Sequence, residues 1–131
     1  MEGECNEAKK VDGSMLEGGG QLFRVAVALS YLLHQSLSLT NIRANRGKGG
    51  GLGNQHLTCI STLKDLAMKD ESVYHVIGDK KGSKLLHLMT VAGTNRLEIE
   101  RTEIAVNQQT PGSINLIIQC LLPCLVFQSG R

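Results

Sequence analysis

Residues 17–43 read EGGGQLFRVAVALSYLLHQSLSLTNIR, and this stretch decides the fold. Glu17-Gly18-Gly19-Gly20 forces a turn, because only glycine takes up positive φ freely. A helix is expected to follow at once. From Gln21 to Leu33 the residues Leu22, Val25, Ala26, Leu29 and Leu33 recur at helical spacing, and Val27, Ala28 and Tyr31 make the opposite side fairly apolar too. Such a helix belongs against a sheet. Ser36 to Ile42 then alternates Leu37 and Leu39 with polar neighbours, the period-two pattern of a half-buried strand, and runs directly into Arg43.

Outward from this unit, Lys9 to Asp12 reads as an edge strand before the glycine turn. Residues 47–53, GKGGGLG, read as a flexible loop, and Asn54 as the N-cap of a second helix. In that helix Leu57, Ile60, Leu63 and Ala67 share a third of the circumference. Ser72 to Ile77 and Lys84 to Thr90 read as strands flanking the turn Gly78-Asp79-Lys80-Lys81-Gly82, and Leu97 to Val106 as another strand. A last helix is expected to start near Pro111-Gly112-Ser113, with Pro123 kinking or ending it. The order β-α-β-α-β-β(-β)-α implies an α/β sandwich with helices on one face of a mixed sheet.

Length and composition agree with one such unit. The chain has 131 residues, 41% apolar and 20% charged, with no tryptophan and 3% aromatic residues. Its core must therefore be aliphatic, and a chain of this size buries roughly two thirds of its unfolded surface. Collagen, low-complexity disorder and a multidomain machine are excluded. Cys5, Cys59, Cys120 and Cys124 form no C-x-x-C spacing, so packed, reduced thiols are expected. The first ten residues contain no apolar signal region. Ile114 to Phe127 is apolar but shorter than the ~20 residues of a membrane span, so no membrane partner is expected. A reducing intracellular compartment follows as the expectation.

The net charge of +2 hides an uneven distribution. Gly18 to Leu63 contains no Asp or Glu, yet holds Arg24, Arg43, Arg46 and Lys48. Either the gap is chance or this segment attracts an anion. Arg24 falls in the opening turn of the first helix, where the positive end of the macrodipole disfavours a cation unless an anion lies between them. The alternative is a pair with Glu17 or a solvated side chain. Arg43 and Arg46 follow a strand and precede a glycine loop that leads to a helix start. Backbone N–H groups, helix dipole and two guanidiniums would then face one crevice, a sensible phosphate cradle. A floppy connection with solvated arginines is the competing reading.

Gln55 and His56 lie in the first turn of the second helix, where an amide can bond a base or phosphate and an imidazole can donate to an anion. His34, His75 and His87 show no metal-ligand spacing. Walker A, dinucleotide, nucleophile-elbow and zinc-protease motifs do not occur, nor do paired carboxylates in the basic crevice. Residues alone thus lead to an α/β unit that binds a phosphorylated ligand.

At the same positions the chain resembles the RNA 3′-terminal phosphate cyclase family. Val11-Asp12-Gly13-Ser14, then Glu17-Gly18-Gly19-Gly20-Gln21-Leu22-Phe23-Arg24, is similar to its D-G-S-x-x-E-G-G-G-Q-x-x-R signature. Ile42-Arg43-Ala44-Asn45-Arg46, then Gly51-Leu52 and Gln55-His56-Leu57, is similar to its I-R-A-x-R…G-L-x-x-Q-H-L segment. Pro111-Gly112-Ser113 through Gln119 to Pro123 is a weaker match to A-G-S-x-x-L-x-x-Q-x-x-x-P.

The resemblance implies the enolpyruvate-transferase-like β-α-β-α-β-β unit and an ATP-dependent reaction. In that reaction a histidine accepts AMP, passes it to an RNA 3′-phosphate, and the 2′-hydroxyl closes a 2′,3′-cyclic phosphate. It implies Arg24, Arg43, Arg46, Gln55 and Glu17 as catalytic groups. It also implies Arg24, Arg43, Arg46 and His56 as phosphate contacts, Gln119 as an adenylate contact, and Mg²⁺ or another divalent cation with ligands unassigned. The RNA partner ends in a 3′-phosphate, and the expected location is the nucleus or nucleoplasm, or else the cytoplasm.

None of the four histidines matches the family nucleophile, which lies in the C-terminal part of a much longer chain. A glycine stands where the family has proline before Gly51-Leu52. Residues 1–131 are therefore expected to be a single truncated, N-terminal piece, inactive alone. The rival readings are a non-catalytic cyclase-like protein of ribosome biogenesis and a plain RNA- or phosphate-binding module.

Overall fold

The computed structural model describes residues 7–15, 19–66, 75–90, 103–107 and 113–127. Their elements run β1 (Lys9–Asp12), α1 (Gly20–Leu33), β2 (Leu37–Thr40), a 3₁₀ turn (Ala44–Gly49), α2 (Asn54–Leu66), β3 (His75–Ile77), β4 (Leu86–Met89) and α3 (Ile114–Val126). The four strands form one mixed sheet in the order β1-β2-β4-β3. β1 pairs parallel with β2, Lys9 beside Leu37 and Asp12 beside Thr40, while β4 runs antiparallel to both β2 and β3. This is the expected α/β unit. The expected strand from Leu97 lies outside the described residues up to Thr102, and residues 103–107 form no strand.

Alternation sets the sheet's inner face. Leu37 and Leu39 of β2 stand opposite Leu88 and Leu86 of β4, and all four are buried. Phe23 and Val27 of α1, and Ile60 and Leu63 of α2, join them in one cluster. In α1 the buried side differs from the expected one. Phe23, Val27, Ala28 and Tyr31 are inside, whereas Val25, Leu29 and Leu33 are half-exposed or more. Both sides of this helix are apolar, so spacing cannot choose between them; the two aromatic rings and the contact with α3 do.

α3 packs on α1 and α2. Its Cys120 and Cys124 thiols approach the carbonyls of Arg24 (3.8 Å) and Ala28 (3.7 Å), so small side chains let the two backbones come close. Cys59, Cys120 and Cys124 are free and buried, as expected; Cys5 lies outside the described residues. A hydrogen bond within the Cys59–Cys120 pair lowers the Cys59 thiol and raises that of Cys120, and burial pushes Cys124 up to about 12. Pro123 does not end α3, which continues to Val126 and closes with the Phe127 N–H on the Pro123 carbonyl at 3.0 Å. Proline removes one internal donor near the helix end, and the packed Cys120, Leu121 and Cys124 hold the last turn in place. No helix among the described residues is long and apolar enough to cross a membrane.

At the sheet end away from the parallel strands' C-termini, a buried polar knot joins α1, β2 and β4. Thr90 N–H donates to Ser36 Oγ (3.0 Å) and Thr90 Oγ1 donates to the His34 carbonyl (2.8 Å), with Ser36 and Thr90 each at most 2% exposed. Replacing Ser36 by Ala leaves the Thr90 N–H buried without its acceptor. The expected cost is about 1–3 kcal/mol, read as a lower urea midpoint with unchanged slope.

Candidate functional site

Parallel pairing of β1 with β2 brings two chain exits side by side. From β1 the chain reaches the start of α1; from β2 it reaches Arg43, the 3₁₀ turn and α2. In α/β sheets this is the end at which ligands bind, beyond the carboxyl ends of parallel strands.

The first wall is the N-terminus of α1. Gly19 is its N-cap, with no side-chain cap and no acid in the first turn, so the helix presents uncapped N–H groups and the positive end of its dipole. The cations gather against this glycine pair. A Cβ placed on Gly20 would lie 2.8 Å from both Arg24 Nη1 and His56 Nε2, and one placed on Gly19 would lie 3.3 Å from Arg46 Nη2. Arg24, Arg46 and His56, far apart in sequence, thus converge on one glycine-lined spot. Arg24 Nε is buried and has no hydrogen-bond partner among the described residues. A buried guanidinium nitrogen without an acceptor suits an anion.

The second wall is the segment from Arg43 to His56, and here the expected flexible loop is corrected. Ala44–Gly49 is a 3₁₀ turn, and the residues after it are stitched down. Gly51 N–H reaches the Ile42 carbonyl (2.9 Å), Leu52 N–H the Ser83 carbonyl (2.9 Å), and Gly82 N–H the Leu52 carbonyl (2.7 Å). Gly51 has φ +76, and a Cβ there would meet the Gly82 carbonyl, so glycine permits both the turn and the close approach. Its carbonyl accepts from Arg43 Nη1 (3.0 Å), and Arg43 itself holds the left-handed φ of +48. Burial, then the neighbouring Arg46, lowers the Arg43 pKa.

Asn54 does not act as the cap of α2. Asn54 is the first helical residue, and Gly53 takes the cap position, with the Leu57 N–H on its carbonyl. Gly53 N–H donates to His56 Nδ1 at 2.9 Å, so the imidazole fills the place that Glu or Gln holds in a capping box. That bond fixes the tautomer: Nδ1 accepts, and Nε2 carries the proton toward Gly20 and Arg24. The ring is 6% exposed and meets Phe23 edge to face at 4.9 Å. Burial first, then the charges of Arg43 and Arg24, push the His56 pKa from 6.5 down to about 4. Near neutral pH it is an uncharged donor.

Gln55 Nε2 donates to the Ser113 carbonyl (2.8 Å), tying α2 to the start of α3. Gln119 is on the exposed side of α3 and takes no part in the contacts that gather the arginines. Glu17 lies outside the described residues. Nothing in the sequence marked Gly53 and Phe23 as the groups that fix the His56 ring, because both act through its orientation.

The fold and this corner define an α/β protein with two guanidiniums and a neutral imidazole at a glycine-capped helix start, and a third guanidinium, Arg43, beside that imidazole. The family model that matches residues 15–131 is that of RNA 3′-terminal phosphate cyclase, and the chain belongs to this family. An RNA 3′-terminal phosphate cyclase of Pyrococcus abyssi is 42% identical over 121 residues, 92% of this chain and 32% of its own length. One of Pyrococcus furiosus is 41% identical over 117 residues, 89% of this chain and 31% of its own. A probable RNA 3′-terminal phosphate cyclase of Dictyostelium discoideum is 39% identical over 118 residues, 90% and 25% respectively. The chain spans about a third or less of the length of these relatives.

Two outcomes follow from the geometry. Gly20→Ala puts a methyl group where Arg24, His56 and an anion would meet, so affinity for inorganic phosphate should fall about tenfold in an NMR titration. Because His56 has a lower pKa folded than unfolded, the unfolded chain takes up the proton first as pH falls. Its contribution to stability is full above pH 6.5 and lost on acidification toward pH 4. His56→Gln should flatten that part of the melting-temperature profile.

Proposed function

We propose that this chain forms the wall that grips the terminal phosphate in an ATP-dependent conversion of an RNA 3′-phosphate to a 2′,3′-cyclic phosphate. The observation that carries this reading is the convergence of Arg24 Nη1, Arg46 Nη2 and His56 Nε2 on Gly19 and Gly20, in a chain of the cyclase family.

Arg24 and His56 sit deep and meet the inner phosphate oxygens. Arg46 is exposed and meets the incoming RNA end. Arg43, held on the Gly51 carbonyl through one nitrogen, keeps its remaining donors for a second oxygen or phosphate. Charge builds on non-bridging oxygens as a phosphoryl group transfers, and donors already fixed in place stabilise it without reorganising. ATP supplies the activation of the terminal phosphate. Gln55, with its amide oxygen unused by the bond to Ser113, and Glu17 serve as polar groups of this site, and Gln119 contacts the adenylate.

A divalent cation, Mg²⁺ or another, belongs to the same reading. Among the described residues no three of His, Cys, Asp or Glu gather as ligands for it. The three free thiols support a reducing compartment, with the nucleoplasm as the proposed one.

None of the four histidines in residues 1–131 matches the family's nucleophile, so these residues by themselves are expected to bind without turning over. The 131-residue chain should bind an oligoribonucleotide ending in 3′-phosphate more tightly than its 3′-hydroxyl twin, and Arg24→Ala or Arg46→Ala should level the two. Equal affinity in the unaltered chain would support a plain anion-binding module instead. Incubation with α-labelled ATP should leave no covalent label; a labelled adduct would show that one of these four histidines is a nucleophile.

A further inference from the structure

The two walls of the cationic corner come from different strands, so something must hold them in register. β1 and β2 stop pairing at Asp12 and Thr40. Immediately beyond, the Gly13 N–H donates to the Thr40 carbonyl at 2.6 Å, and Asn41 Nδ2 donates to Asp12 Oδ1 at 3.2 Å. The same carboxylate oxygen accepts from the Ser14 N–H (2.9 Å) and the Ser14 hydroxyl (2.7 Å). A single oxygen atom therefore fixes the turn toward α1 and touches the turn toward Arg43.

The geometry on the β2 side needs that support. Asn41 has φ +52 and Arg43 has φ +48, two left-handed non-glycine residues separated only by Ile42. Asparagine tolerates this region better than other side chains, and arginine does not share that advantage. Gly13 is pressed against this turn: a Cβ there would lie 2.8 Å from the Thr40 carbonyl oxygen and 3.0 Å from Ile42 Cα. Ile42 in turn bonds the Lys84 carbonyl through its N–H and the Gly51 N–H through its carbonyl, and Gly51 holds Arg43. The chain of contacts runs from Asp12 through Asn41 and Ile42 to the Arg43 guanidinium.

We propose that Asp12 and Asn41 are positioning residues. By clamping the two strand exits together they hold Arg43 and Arg46 in line with Gly19 and Gly20, and so set the selectivity for a terminal phosphate. The inference rests on the phosphate-wall reading of the site. Neither residue has to touch the ligand.

The test is a double-mutant cycle on the 131-residue chain with Asp12→Ala, Asn41→Gly and the two combined. Asn41→Gly keeps the left-handed turn without strain and removes only the amide. Each single variant should weaken binding of a 3′-phosphate oligoribonucleotide roughly fivefold, and the pair should lose no more than either alone, the signature of one shared contact. Binding of the 3′-hydroxyl oligoribonucleotide should not change, and Asp12→Asn, which retains an acceptor oxygen, should restore most of the affinity. In each weakened variant the Arg43 Nε–H resonance should shift. Additive losses, equal losses for both RNAs, or unchanged affinity would overturn the proposal. If the unaltered chain does not distinguish the two RNAs, the phosphate reading has failed. The clamp is then judged by the Arg43 resonance alone: a shift in both single variants supports it, and no shift overturns it.

Discussion

Parallel pairing between two short strands is the constraint from which the rest of this molecule follows. Because β1 and β2 run the same way, their connection must cross the sheet, and α1 is that crossover. Its N-terminus and the turn after β2 then leave the sheet at the same end. A helix start without a side-chain cap and a turn carrying two arginines are brought together by topology before any side chain makes a choice.

The corner that results is electrostatically one-sided. Both charges that act on His56 are positive, and the ring answers by staying neutral and donating through Nε2. Arg43 is partly desolvated and feels the charge of Arg46. An anion would relieve the repulsion, satisfy the buried Arg24 Nε and complete the α1 N-terminus at once. Folding alone does not explain such an assembly of like charges. Like charges held this close repel, and a ligand of opposite sign would offset that repulsion.

Much of the fold was legible along the chain. The helix to Leu33 and the alternating leucines of β2 stand where local spacing placed them, and the second helix begins one residue earlier, at Asn54 itself. Local pattern failed where two answers were equally apolar. α1 has hydrophobic residues all around, and the side that turned inward is the one bearing Phe23 and Tyr31. Residues 47–53 read as flexible because glycine has no intrinsic preference, yet partners at Ile42, Gly82 and Ser83 hold Gly51 and Leu52. Pro123 has a strong local preference for ending a helix, and packing on α1 overrode it for three residues.

The sequence by itself determined the element order, the acid-free stretch with its arginines, and the glycines that make a close approach possible, since each of these is a property of neighbours along the chain. Only the tertiary structure decided that Gly20, Arg24 and His56 meet. It also decided that His56 is neutral with its proton on Nε2, that Gln55 turns to α3, and that Asp12 reaches Asn41. The physical reason is that proximity, desolvation and hydrogen-bond direction are set by which strands pair and which helices pack, and the residues involved are separated by tens of positions along the chain.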